Sequence, residues 1–200
     1  MTVAVYKNLA KCWKLPCILR YFRNEVKMRQ VGTISRKGQL VNDSYITGFV
    51  DGEGSFHIAF QRRPDLKFGW QTIPEFHISQ NFTSRNVLEA IKNYFDCGHV
   101  KNNDAAGKRD KTMVYVVRDR QDLLNKIIPF FERNLLHTEK RNDFQAFREV
   151  VLMLKNNQHS NLEGFRSIVE LGYSMNAKGR YRKRNKEEIL ESLTSSETIR

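Results

Sequence analysis

The sequence predicts a single α+β domain in which two pairs of strands are separated by helices. Two hundred residues, 40% of them hydrophobic, are enough for one domain with its own core. Several segments alternate apolar and polar side chains, which is typical of half-buried strands. Between and after them, apolar residues recur at intervals of three and four, which is typical of helices.

The first predicted elements are a short helix and two strands. The helix covers Tyr45 to Glu53, because its apolar residues fall on one face. The first strand covers Ser55 to Arg62 and the second covers roughly Trp70 to Gln80. A positively charged turn at Arg62 to Asp65 follows the first strand, so the two strands are expected to form an antiparallel pair.

Downstream, the hydrophobic spacing predicts one helix, a second pair of strands and three more helices. Thr83 or Ser84 can cap the first of these helices, and Gly98 ends it. The polar run from Asp104 to Lys111 joins the two strands. In chain order the predicted elements are a helix to about Phe95, strands at His99 to Asn103 and Thr112 to Arg118, and helices at about Asp119 to Glu132, Thr138 to Lys155 and Asn161 to Ser174.

The charge balance favours a polyanionic partner. The chain has 34 Lys and Arg against 22 Asp and Glu, a formal net charge of +12. Nucleic acid and an anionic membrane surface are the two candidates. The sequence lacks a run of roughly 18 apolar residues, and its basic segments do not form one amphipathic helix, so nucleic acid is preferred and no membrane partner is expected.

Two basic segments flank the predicted domain. Residues 1–43 carry nine Lys or Arg and two acids. A transit peptide is one interpretation, but Trp13, Pro16 and Phe22 favour an accessory arm that contacts phosphates. Residues 177–200 form a basic C-terminal segment with a short helix, which Asn185 is expected to cap.

The segment Ile46 to Phe56 carries the most informative motif. It contains three glycines, although each costs roughly 1 kcal/mol relative to alanine inside a helix. Gly48 and Gly52 share one helix face, where missing side chains let a second helix approach closely. Glu53 lies in the last turn, where the helix dipole disfavours a carboxylate and a divalent cation would relieve that penalty. An ordinary helix end with surface acids is the alternative.

The motif resembles that of the LAGLIDADG homing endonucleases in the form LAGFVDGEGSF, with Ile46 for the first Leu and Thr47 for Ala. The resemblance covers residues 44–176, the predicted endonuclease domain. Its further segments are Pro74 to Gln80, Leu123 to Pro129, Lys140 to Phe144 and Ser174 to Asn176.

The resemblance implies an αββαββα unit whose four antiparallel strands form a saddle in the DNA major groove, with helices on the other face. One motif implies a symmetric homodimer and a near-palindromic site. Asp51 would stabilise the motif helix. The implied dimer interface comprises Ile46, Gly48, Phe49, Asp51 and Gly52.

The same resemblance implies a metal-dependent double-strand break with short 3′ overhangs. Glu53 would bind Mg²⁺, with the carbonyl of Gly52 assisting, and Mn²⁺ or Ca²⁺ are expected to fit the same site. Gln80 would position the attacking water, and Lys140 would stabilise phosphate charge. A helix-surface charge is the alternative for Lys140.

The strand faces turned away from the core would read bases, and the C-terminal basic run would contact phosphates. The candidate base contacts are His57, Gln61, Arg63, Gln71, Glu75, His77, Lys101, Asn103 and Arg118. The candidate phosphate contacts are Lys178, Arg180, Arg182 and Lys183. Solvated surface residues are the alternative for each.

Two other functions are alternatives to DNA cleavage that promotes intron homing. A maturase of this family would bind its intron RNA and assist splicing. A non-catalytic DNA-binding regulator on the same fold is disfavoured because Glu53 is intact. Resemblance to single-motif relatives implies a gene within a chloroplast or mitochondrial intron, and hence an organellar location.

Overall fold

The structure is a computed structural model that describes residues 33–34, 40–103, 111–178, 182 and 184–195. Most of the predicted N-terminal arm therefore lies outside the described residues. Its described part is a short antiparallel hairpin of β1 (Thr33–Ile34) and β2 (Leu40–Val41). Arg180, Lys183 and the side chain of Lys178 also lie outside the described residues.

The motif helix α1 (Asp43–Glu53) begins two residues earlier than predicted. The side chain of Asn42 accepts a hydrogen bond from the backbone N–H of Tyr45 at 2.8 Å, which satisfies a donor in the first turn. The helix ends at Glu53, and the chain enters the sheet directly at Gly54. A Cβ on Gly54 would lie 2.5 Å from Cγ1 of Val50, so this abrupt transition requires glycine.

A four-stranded antiparallel sheet follows, which confirms the predicted arrangement of two strand pairs. Its strands are β3 (Gly54–Arg62), β4 (Trp70–Asn81), β5 (His99–Asn102) and β6 (Thr112–Val117). They lie in the order β3-β4-β6-β5. The register places His57 opposite Glu75, and Val116 opposite both His77 and His99.

Helix α2 (Arg85–Phe95) links the two strand pairs, and its ends differ from the prediction in detail. A 3-10 turn at Phe82–Ser84 precedes it, and the side chain of Ser84 makes no capping hydrogen bond. Asp96 takes the left-handed conformation at the helix end, with φ of 50°. Gly98 also has positive φ, and a Cβ there would lie 2.5 Å from the carbonyl oxygen of Val116.

The remaining helices confirm the predicted helical segments, with one irregularity. The predicted helix at about 119–132 contains a π turn between two short α segments. Pro129 accounts for it, because this residue has no N–H to donate to the carbonyl of Asn125 four residues earlier. The elements are α3 (Arg120–Asp122), the π turn Leu123–Ile127, α4 (Ile128–Arg133), α5 (Lys140–Lys155), a 3-10 turn Gln158–Ser160, α6 (Leu162–Lys178) and α7 (Lys186–Ser195).

The main core lies between one face of the sheet and the helices. Phe56 on β3 is its centre, with no exposed surface. Its ring stacks on Phe76 at 5.2 Å and meets the rings of Phe131, Phe144 and Phe147 at 5.3–5.4 Å. Burial of such rings supplies much of the driving force for folding.

A second apolar cluster holds the C-terminal helix against the domain. The indole N–H of Trp70, the first residue of β4, donates to the hydroxyl of Ser192 in α7 at 2.8 Å. Helix α7 of the predicted C-terminal segment is therefore packed on the domain rather than set apart from it. The cluster comprises Phe68, Trp70, Phe165, Val169, Ile189 and Leu193.

Among the described residues, no helix has the length and apolar character needed to cross a membrane. Most of the buried apolar side chains of these residues belong to the two clusters inside the domain.

Candidate active site and nucleic-acid interface

Glu53 is exposed at the C-terminal end of α1, where the motif helix meets the first strand of the sheet. Its neighbour Gly52 is exposed as well. The carboxylate thus stands at the junction of two surfaces, an open helix face and the polar face of the sheet.

The open helix face, here called the glycine face, consists of Tyr45, Gly48, Phe49 and Gly52. A Cβ built on Gly48 or Gly52 would meet nothing within 4 Å in the described structure. The rings of Tyr45 and Phe49 stack 5.7 Å apart, and Tyr45 is 38% exposed. The exposed ring of Tyr45, the half-buried ring of Phe49 and two bare glycines form a surface that a second helix could approach closely.

Two of the predicted interface residues do not lie on this face. Ile46 has no exposed surface and belongs to the core of its own protomer, so its predicted interface role is wrong. The carboxylate of Asp51 is also engaged elsewhere, by the segment that leads into the helix after residue 139. It accepts hydrogen bonds from the backbone N–H of His137 at 2.8 Å and from the hydroxyl of Thr138 at 2.9 Å.

Tyr45 replaces them on the glycine face, and sequence reasoning missed it. Helical spacing from Gly48, Phe49 and Gly52 gives the same face and could have found it.

Lys140 lies beside the motif, at the first turn of α5. Its ammonium donates to the carbonyls of Val50, Asp51 and Gly52 at 3.2, 2.9 and 2.8 Å. These bonds use all three of its donors and place positive charge at the negative end of the α1 dipole. Burial lowers the pKa of Lys140, while the charges of Asp51 and Glu53 oppose that shift.

Gln80 lies near the end of β4, on the same side of the sheet as the core. Ile78 pairs with Gly54, so Gln80 extends two residues beyond the point where α1 enters the sheet. It is half-buried there. The structure therefore brings Gln80, Lys140 and Glu53 to the same end of the molecule.

Glu53 does not lie in a cluster of metal-binding side chains in the described part of the chain. The described residues contain no group of three or more His, Cys, Asp or Glu side chains that could hold a metal. Glu53 and the carbonyl of Gly52 offer oxygen ligands of the type that Mg²⁺ prefers. These two groups fit a divalent cation whose other ligands come from outside the described residues.

The nine predicted base contacts all lie on, or in line with, one face of the sheet, opposite the main core. Gln61, Arg63, Lys101, Asn103 and Arg118 are exposed, while His57, Gln71 and His77 are half-buried. Glu75 is the exception, because it is only 6% exposed.

His99 is exposed on this same face, and the prediction missed it. Its pairing with Val116, which also pairs with His77, fixes its side of the sheet. The alternation that selected Lys101 on β5 could have found it.

The structure corrects the predicted roles of two charged residues on or near this face. Both carboxylate oxygens of Glu75 are engaged by neighbouring side chains, so direct contact with a base is disfavoured. Arg182, predicted to contact phosphate, is instead bound within the protomer. Its guanidinium donates to the carbonyls of Ile58 and Gly172, each at 2.6 Å, and lies 4.6 Å from the centroid of the Tyr173 ring.

Comparison with known proteins identifies the family. The sequence model of the LAGLIDADG endonuclease family matches residues 46–151, more than half of the chain. The chain belongs to the LAGLIDADG endonuclease family. The match includes the motif helix from Ile46 onward, the whole four-stranded sheet and most of α5.

Two proteins that are similar in sequence, both named as endonucleases, differ in length. Probable intron-encoded endonuclease 2 of Neurospora crassa is 39% identical over 138 residues, which are 68% of this chain and 29% of that protein. Homing endonuclease I-ApeII of Aeropyrum pernix is 31% identical over 165 residues, which are 80% of this chain and 95% of that protein. This chain thus spans under a third of the Neurospora relative.

Solved LAGLIDADG structures share the fold. An archaeal intron-encoded homing endonuclease complexed with DNA superposes with a TM-score of 0.69 and 31% identity, covering 78% of this chain and 96% of that one. The mixed helical fold with a four-stranded antiparallel sheet is therefore that of this family.

Proposed function

We propose that the protein is a site-specific homing endonuclease that makes a double-strand break in DNA. The observation that carries the proposal is the exposed position of Glu53, between the glycine face and the polar face of the sheet. The glycine face would bring the Glu53 of a second copy close to the first, and the polar face of the sheet would bind the DNA duplex. A solved relative with this fold is described as complexed with DNA, which supports DNA as the partner.

The cutting unit would be a homodimer joined through the glycine face. Gly48 and Gly52 leave the space that a second copy of α1 needs. Nearly all of I-ApeII is matched by this chain, which supports a unit of one motif per chain. A two-fold symmetric protein would read a near-palindromic site and cut each strand once. The resemblance to the LAGLIDADG family adds short 3′ overhangs to this proposal.

The chemistry would be centred on Glu53. Mg²⁺ bound by this carboxylate and the Gly52 carbonyl would activate water and stabilise charge in the transition state, and Mn²⁺ or Ca²⁺ would fit the same oxygen ligands. Gln80 would orient the attacking water from the end of β4. Lys140 would keep positive charge beside Glu53 and fix the end of α1.

The biological role would be to promote homing of the intron that encodes the protein. The Neurospora relative is described as intron-encoded, and so is the archaeal protein of the DNA complex. An organellar intron, chloroplast or mitochondrial, would be its location.

The test compares the wild-type protein with Glu53→Gln on a library of near-palindromic duplexes, with Mg²⁺ or with chelator. The variant is expected to bind the selected duplex with wild-type affinity and to leave it uncut, because it lacks the charged metal ligand. Sequencing of the product ends would check the predicted 3′ overhangs. Glu149→Gln, on the exposed side of α5, is the matched control and should cut normally.

Retained Mg²⁺-dependent cleavage by Glu53→Gln would contradict the assignment of the acid. Tight binding of the wild-type protein to its intron RNA, without cleavage of any intronless duplex, would favour a maturase instead. Filter binding to both nucleic acids, with and without Mg²⁺, separates these outcomes.

A further inference from the structure

Two apolar side chains, Ala59 and Ile73, lie on the polar face of the sheet. Ala59 on β3 pairs directly with Ile73 on β4. Along β3, Ala59 lies midway between His57 and Gln61, and alternation turns all three to the same side of the strand. The other residues of β3 and β4 on this side are polar, so the pair interrupts an otherwise polar surface.

Ile73 is the accessible member of the apolar side chains on this face. It is half-buried and belongs to neither of the two apolar clusters. Val114 and Val116 on β6 lie on the same side, because they pair with Ser79 and His77. They are only 4% and 0% exposed, too little to contact a ligand. Within the four described strands, Ile73 is therefore the one large apolar side chain that this face offers to a partner.

The neighbour of Ile73 across the strands leaves it uncovered. Ala59 ends at its Cβ, so it cannot reach over the longer, branched side chain beside it. A shallow apolar spot results, with polar side chains before and after it along the strands.

An isoleucine in this position gains binding free energy only against another nonpolar group. If a polar atom of a base covered it, that atom would lose its hydrogen bonds to water without replacement. In the major groove the base edges present hydrogen-bond donors and acceptors, and the nonpolar group among them is the C5 methyl of thymine. The chemistry of Ile73 therefore matches thymine.

We propose that Ile73, with Ala59 beside it, is a specificity-determining residue that recognises one thymine through its C5 methyl group. This inference rests on the proposed function, since it requires the polar face to lie in the major groove. The order of residues along β3 places this thymine between the base pairs contacted by His57 and by Gln61. In a homodimer, each half of the site contains one such thymine.

The test replaces each thymine of the selected duplex in turn with deoxyuridine, which lacks only the methyl group. Binding is measured in the presence of chelator, so that the duplex stays intact. His57→Ala and Gln61→Ala, each tested on single-base substitutions of the duplex, locate the interval in which the recognised thymine should lie.

Deoxyuridine in that interval is expected to weaken binding of the wild-type protein by roughly fourfold per half-site, the effect of one buried methyl group. Ile73→Ala should bind the thymine and deoxyuridine duplexes equally, because the alkyl partner of the methyl group is gone. With a cytosine pair at the same position, 5-methylcytosine should bind the wild-type protein more tightly than cytosine does, and Ile73→Ala should not distinguish the two.

Leu66→Ala is the matched control. It truncates another accessible apolar side chain, 39% exposed, which lies in the loop between β3 and β4 and not on the polar face. This variant should keep the full difference between thymine and deoxyuridine. An undiminished difference in a folded Ile73→Ala variant would show that another group senses the methyl group, and would overturn the inference.

The comparison of thymine with deoxyuridine on the wild-type protein needs no variant. A wild-type protein indifferent to deoxyuridine throughout the interval, or a selected duplex without thymine there, would overturn the inference while leaving the proposed function intact. A wild-type protein that binds all duplexes alike would contradict the proposed function itself.

Discussion

At the scale of single residues, α1 and α5 are joined by two charged side chains, each of which binds the backbone at the end of the other helix. Asp51 from the end of α1 accepts from the backbone that leads into α5, and Lys140 from the start of α5 donates to the last carbonyls of α1. Each charge meets the helix end of opposite partial charge. These contacts fix the end of α1, and with it the position of Glu53.

The role of Asp51 predicts a pH-dependent stability. Burial raises its pKa, but hydrogen bonds from His137 and Thr138 outweigh burial and lower the pKa below the ordinary value of 3.8. Its contribution to stability is therefore complete above the unfolded-state pKa and is lost as pH falls through the lower folded-state pKa. Asp51→Asn should lower the free energy of unfolding at pH 7 by about 0.5–1.5 kcal/mol, the range of an ordinary hydrogen bond, because solvent screens this partly exposed carboxylate.

Urea unfolding of both proteins at pH 7, 5 and 3 measures this difference. The gap in unfolding free energy between wild type and Asp51→Asn should narrow at the lowest pH, where the wild-type carboxylate gains a proton. An equal gap at all three pH values would show that the charge of Asp51 does not stabilise the fold.

Sequence reasoning found the exposed acid but not the partners of the other charged residues. Glu53 could be assigned because motif and helix end are local features. Asp51 and Arg182 instead bind backbone atoms 86 and 124 residues away. Such distant contacts leave no periodic pattern, so these residues were assigned to surfaces that they do not occupy.

At the scale of elements, the C-terminal helix α7 supports the tip of the β3–β4 hairpin. The guanidinium carbons of Arg62 and Arg184 lie 4.9 and 5.3 Å from the centroid of the Trp70 ring. The indole N–H of Trp70 donates a hydrogen bond to the hydroxyl of Ser192. Lys67 in the hairpin loop donates to the carbonyl of Ser160 at 2.9 Å. The strands that carry Gln61 and Gln71 are therefore held at their far end.

Leu193→Ala tests this support. The side chain of Leu193 is completely buried in the second cluster, so the truncation should cost about 2–5 kcal/mol of stability. Glu187→Ala, exposed on the same helix, is the control and should change stability little. Chemical denaturation measures the free energy of unfolding of both variants. Equally small losses would show that packing of α7 does not stabilise the domain.

The strands and most helices followed from side-chain periodicity, because half-buried elements place apolar residues at regular intervals. The sequence predicted α7 from its Asn185 cap, but not what it packs against. Trp70 and Leu193 lie far apart in the chain, and nothing local indicates that they share a cluster. The π turn was also missed, although Pro129 offered a signal.

At the scale of the whole molecule, the proposed homodimer can be tested with a substitution on the glycine face that leaves the fold of the single chain intact. Gly48→Leu places a side chain into space that is open in the protomer, and leucine favours a helix over glycine by about 1 kcal/mol. The variant should be at least as stable as wild type, should remain monomeric on DNA and should make no double-strand break.

Sedimentation on the selected duplex, together with a thermal melt, separates assembly from folding. Asn86→Leu, which adds an equally large apolar side chain to the exposed side of α2, should leave the dimer intact. A Gly48→Leu variant that still sediments as a dimer would place the interface elsewhere.

The chain passes from α1 into β3 without a loop, which fixes the distance between Glu53 and the strand residues that follow it. His57 lies four positions after Glu53, about 13 Å away at roughly 3.3 Å per residue. Base pairs are stacked about 3.4 Å apart along the duplex. Under the proposed function, covalent geometry would therefore set the spacing between the cut and the nearest base pair contacted by β3, and the strands could acquire new target sequences without moving the cut.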